Sequence, residues 1–118
     1  MHDYRRLDLW HEAIDLAADV YRLTRSFPGT EKFGIVVQMR RSVVSVSANI
    51  AEGAGRGTNG DMARFLRIAL GSLSETESHL ALARRLGFTT ADESLDQAIA
   101  RLRGRIKGLH NRLLDEFS

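Results

Sequence analysis

Residues 90–114 read TADESLDQAIARLRGRIKGLHNRLL, and their spacing decides the fold. At about 100° per residue, Leu95, Ile99, Leu102, Ile106, Leu109 and Leu113 fall on one narrow stripe, the signature of an amphipathic helix. Thr90-Ala91-Asp92-Glu93 reads as a capping box, with Thr90 as N-cap and Glu93 three residues later. Arg101, Arg105 and Arg112 line one edge of the stripe, and Arg103, Lys107 and His110 lie towards the other. No acid intervenes between Gln97 and Leu114. Such arginines can lay their stems along the core edge of a solvated face. They can also form a basic ridge that neutralises phosphates.

Working back along the chain, three further segments show the same period. The first covers about residues 9–26 and stops at Phe27-Pro28-Gly29, because proline disfavours helix in the residue before it. The second covers 31–55, with Thr30 as N-cap and the glycines of Gly53-Ala54-Gly55-Arg56-Gly57 as its end. The third covers 59–86, from Thr58 or Asn59 to Leu86-Gly87, and the last covers 91–116. Short loops between long amphipathic helices predict one all-α domain over 1–118, an up-down-up-down antiparallel four-helix bundle.

Composition agrees with this. The chain has 118 residues, 43% hydrophobic and 27% charged, with a single proline and no cysteine. That mix excludes disorder and a disulfide scaffold. No stretch approaches the roughly 20 apolar residues of a membrane span, and the N-terminal residues carry no secretory pattern, so a cytoplasmic protein is expected. The formal net charge of +2 does not by itself argue for nucleic acid. Of 17 basic residues, all but Lys32 and Lys107 are arginine, whose planar fork suits phosphate and carboxylate.

The second and third helices are more apolar than one buried face requires. In the third, Phe65, Ile68, Ala69, Thr76, Leu80 and Ala83 form one stripe and Leu66, Leu70 and Leu73 a second beside it. The second helix carries an arc about 220° wide, from Phe33 to Ala51, where a surface helix needs little more than about 100°. Surplus arcs predict self-association, with Leu66, Leu70 and Leu73 as the candidate interface. Arg40 projects into the apolar arc and calls for a partner such as Glu75 or Glu77, whereas Glu52 and Arg56 are spaced to pair along one helix.

Catalytic patterns are weak. Gly53-Ala-Gly-Arg-Gly lacks the lysine and serine of a phosphate loop and follows a helix rather than a strand. Glu75 and His79 are four apart, which misses the Glu-x-x-His pattern of di-iron bundles, and the histidines stand singly. No metal, no cofactor and no enzymatic activity are expected.

Residues 38–65, QMRRSVVSVSANIAEGAGRGTNGDMARF, resemble the small four-helix bundle proteins encoded by intervening sequences in bacterial 23S rRNA genes. They are similar in kind to the accessory variability determinant proteins of diversity-generating retroelements. Leu9-Trp10, Ile14-Asp15-Leu16, Val20-Tyr21, Phe27-Pro28, Phe33-Gly34, Ile68-Ala69 and Gly71-Ser72-Leu73 extend the likeness over nearly the whole chain. A proline common in the family is missing from Ser45-Val46-Ser47-Ala48-Asn49, which implies a straighter second helix. The resemblance implies a homopentameric ring. It also implies binding to nucleic acid, RNA or DNA, and a protein partner such as a reverse transcriptase. Arg40, Arg41, Asn49, Glu52 and Gly53 carry the family signature and are read as holding helices or subunits together.

Two functions follow. The first is a non-enzymatic RNA-binding accessory protein with phosphate contacts from Arg101, Arg103, Arg105, Lys107 and Arg112. The second is a protein-interaction scaffold in which the arginines pair across subunits with Asp92, Asp96, Asp115 and Glu116.

Overall fold

Helical periodicity is realised in each of the four segments that show it. A computed structural model describes residues 3–115, which form four α-helices and no strand. Helix α1 spans Asp8–Thr24, α2 Ile35–Arg56, α3 Asn59–Arg85 and α4 Glu93–Asp115. The expected last residue of the final helix, 116, lies outside the described residues. Single 3₁₀ turns at Tyr4–Arg6 and Gly29–Glu31 precede α1 and α2. In the first of these, the Arg5 side chain and amide both donate to Asp3 and hold its carboxyl below the ordinary aspartate range. No helix of the described residues is long and apolar enough to cross a membrane.

The helix ends follow local chemistry, with two differences from expectation. Thr58 caps α3 by accepting from the Asp61 amide at 3.1 Å. Gly87, at φ 78°, closes α3 in a left-handed cap, with Phe88 N–H donating to Ala83 C=O at 2.9 Å. The cap of α4, however, is Asp92, whose Oδ1 accepts from the Leu95 amide at 3.1 Å. Aspartate caps as well as threonine and stands directly before the first helical residue, so Thr90 is left outside the helix. Likewise α2 does not begin after Thr30. The 3₁₀ turn consumes Gly29–Glu31, and Gly34, at φ −105° and ψ −113°, leaves the helical region before Ile35.

Packing explains the wide apolar arcs. The molecule measures 48 × 23 × 19 Å, and its core takes Met39, Ile50, Leu66, Leu73, Ile99, Leu102 and Ile106 wholly inside. Helix α3 contacts both α2 and α4, the former most extensively, so two adjacent stripes of α3 are used within one chain. Ser42 meets Thr76 at 2.8 Å and Ser45 meets Ser72 at 2.9 Å, hydroxyl to hydroxyl, so later residues of α2 meet earlier residues of α3. Further down the seam, Gly53 stands against Met62 and Phe65.

Thr58→Ala removes one capping acceptor and is expected to cost about 1 kcal/mol. In a domain of this size that is a fall of about 4 °C in Tm, read by thermal denaturation. An unchanged Tm would mean that water serves the Asp61 amide as well as the threonine does.

Candidate nucleic-acid interface

The helix-four arginines are only partly available. Arg103 Nη2 donates to Glu77 Oε1 on α3. Arg105 Nη1 lies 2.9 Å from Glu12 Oε2, a close ion pair misaligned for a hydrogen bond, and its Nη2 lies 3.7 Å from Asp8. Arg101 is exposed and borders a hollow shared with Glu12, Asp15 and Asp19 of α1. Lys107 and Arg112 are exposed, and neither pairs with a described carboxylate. The stripe's edges thus have different fates. One edge leans over the acids of α1 and the other reaches α3, because α4 sits between those two helices. Arg84 adds a further tie to α3, bonded to Asp96 at 2.9 Å.

Two of the three leucines expected at an oligomer interface lie in the core. Leu66 and Leu73 are 0% exposed within the single chain, and Leu70 is half-buried against the same core. Leu66 and Leu73, enclosed by the neighbouring helices, have no surface to offer a second copy, while Leu70 keeps part of its own. Among the described residues the exposed large apolar side chains are instead Ile14 and Tyr21 on α1, Val44 on α2, Ile68 and Leu82 on α3, Leu86 just after it, Leu114 on α4, and Phe33, which is 87% exposed before α2. Tyr21, Val37 and Val44 border an apolar groove of about 280 Å³ between α1 and α2.

Signature residues serve the α1–α2 and α2–α3 contacts. Arg40 does not reach Glu75 or Glu77. Its Nε donates to Thr24 Oγ1 at 2.9 Å, its Nη2 to the Tyr21 carbonyl at 3.3 Å, and its guanidinium stands 4.4 Å from the Tyr21 ring centroid. Thr24 Oγ1 in turn donates to Val20 C=O at 2.9 Å, so the hydroxyl is fixed as an acceptor for arginine. The expected acid was not needed, because carbonyl, hydroxyl and aromatic face together receive the cation. Asn49 donates to the carbonyl and hydroxyl of Ser45 and steadies the Ser45–Ser72 contact. Glu52 pairs with Arg56 at 2.9 Å, as the spacing predicts, and Arg56 in turn lies over the Phe65 ring of α3. Arg41 is exposed at the apolar groove.

A model of the 23S rRNA-intervening sequence proteins matches residues 5–110. The chain belongs to that family. This member of the family carries its match across all four helices, with only the last residues of α4 outside it. A comparison with curated proteins finds no match.

A second group of cations escaped the sequence reading. Arg25 and Lys32 lie at the elbow between α1 and α2, beside Arg40. Periodicity ranks residues by helix face and gives no weight to a turn. The one available sign was that the Phe27-Pro28-Gly29 stop is flanked by basic residues with a single acid, Glu31, in the connection.

Proposed function

We propose that this family member is a non-enzymatic, oligomeric RNA-binding accessory protein of the cytoplasm. The single observation behind this reading is the segregation of charge. Glu12, Asp15 and Asp19 gather along the α1–α4 hollow, while Arg25, Lys32, Arg40 and Arg41 gather on the α1–α2 side and pair with no described carboxylate. A cationic face free of internal counter-charge gains most from phosphates, since each neutralised phosphate releases condensed counterions. Lys107 and Arg112, like Arg101, pair with no described carboxylate, and they offer further phosphate contacts away from the elbow, towards the end of the bundle where Arg105 meets Asp8 and Glu12.

The helices run up-down-up-down in this reading, in line with the order of the α2–α3 contacts. The bundle closes into a ring, a homopentamer in keeping with the family resemblance. A ring multiplies a weak phosphate contact through effective concentration.

Labelled structured RNA titrated at low and physiological salt tests this, with molar mass read by light scattering on the same sample. An oligomer whose affinity falls steeply with salt is the expected result. Lys107→Glu with Arg112→Glu is expected to lower the affinity on the order of tenfold and leave the mass unchanged. No binding by the wild-type protein at low salt would overturn the RNA reading. The second reading, a scaffold for a protein partner such as a reverse transcriptase, draws on the neutralisation of Arg103 and Arg105 and on the acidic hollow, which suits a basic segment. It would then stand.

A further inference from the structure

The elbow between α1 and α2 forms a half-open cavity of about 200 Å³ lined by Thr24, Arg25, Gly29, Lys32, Val36 and Arg40 among others. Three of its lining residues are cationic and none is a carboxylate. Glu31, the acid of this connection, does not line the cavity, and its Oε2 lies by Gly34. The surroundings of α1 on its other side are the reverse: there Asp19 and Asp92 border one hollow with Arg22, and Glu12, Asp15 and Asp19 border another with Arg101. Gathering like charges without a counter-ion costs free energy in the empty protein, and a bound anion recovers it.

Arg40 supplies the geometry. Its Nε and Nη2 are held by Thr24 and the Tyr21 carbonyl, and its plane is held by the Tyr21 ring. Nη1 is bonded to no described residue. A guanidinium fixed in this way presents its remaining donors with little rotamer entropy left to lose. Arg25 and Lys32 are exposed and free of described acid partners, so both can swing onto a tetrahedral anion.

We propose that this elbow cavity is a phosphate-binding site, seating a phosphodiester of the RNA backbone between Arg25, Lys32 and Arg40. The identity of the phosphate's carrier rests on the RNA-binding reading above; the cavity's preference for phosphate does not.

Two measurements on the whole chain separate those claims. In the first, inorganic phosphate is titrated into isotope-labelled protein, and saturable amide shifts are expected at Gly29 and Lys32. In the second, structured RNA is titrated into the wild type and into Arg25→Gln with Lys32→Gln, both residues being exposed. The double variant is expected to lose affinity on the order of tenfold, with the slope of log K against log salt reduced by about two. Its molar mass and Tm stay at wild-type values. RNA binding at wild-type affinity and slope in the double variant overturns the elbow assignment and leaves the RNA reading intact. Loss of molar mass in that variant also overturns it, since the occupant is then a second copy. If the wild type binds no RNA, the RNA reading falls and the first measurement decides the cavity alone. Saturable shifts keep it as a site for a small phosphate compound, and their absence removes it.

Discussion

Leu66→Asp is expected to unfold the chain. Leu66 is wholly buried in the core, where α3 packs against its neighbours. The substitution removes a leucine side chain, worth about 2–5 kcal/mol in such positions. It also installs a carboxyl that must either stay charged in an apolar site or take up a proton, at several kcal/mol more. The sum approaches the whole stability of a small domain, about 5–15 kcal/mol. Circular dichroism at 222 nm should show lost or non-cooperative helix. Ile68→Asp, two residues on and 42% exposed, is the matched control and should change stability by no more than about 0.5 kcal/mol. A folded, monomeric Leu66→Asp protein would show instead that this leucine faces a neighbouring subunit.

Gly53 governs the approach of α2 to α3. A Cβ there would stand 2.9 Å from Phe65 Cβ, 3.0 Å from Met62 Sδ and 3.3 Å from Met62 Cα. Two of those atoms are fixed by the α3 backbone, so the helices must part. Replacing glycine by alanine inside a helix gains about 1 kcal/mol of propensity. Overpacking costs about 1–3 kcal/mol and wins here. Gly53→Ala is therefore expected to destabilise by about 1 kcal/mol. Gly53→Leu, with far more volume to place, should lose at least about 3 kcal/mol. Gly55→Ala reverses the sign: it lies in the same helix, its Cβ would meet nothing within 4 Å, and it should stabilise by up to about 1 kcal/mol. Urea denaturation of the series checks both. Equal effects at Gly53 and Gly55 would show that propensity rather than helix contact sets the role of Gly53.

These cases give a physical meaning to part of the family signature. Gly53 permits close contact, Asn49 steadies the serine seam, Glu52 and Arg56 fix a ring of α3 from the neighbouring helix, and Arg40 joins α2 to α1. Only Arg41 has no partner among the described side chains, and it stands at the surface beside Val44.

What the sequence determined by itself is everything governed by neighbours a few residues away. The helical period of residues 95–113, the Thr58 cap, the Gly57 and Gly87 stops and the Glu52–Arg56 pair all depend on contacts within one or two turns, and such contacts repeat in any helix with those residues. The tertiary structure decided which surplus apolar stripe is interior and which charge is spent. Leu66 and Leu73 are core because α3 has two neighbours. Arg103 and Arg105 are bound because Glu77 and Glu12 come within reach from other helices. Arg25, Lys32 and Arg40 meet only because the chain turns back after Phe27. Helical periodicity fixes the direction of a side chain from its own axis, but it does not fix the rotation and register of the next helix, and a partner 16 or more residues away is chosen by those alone.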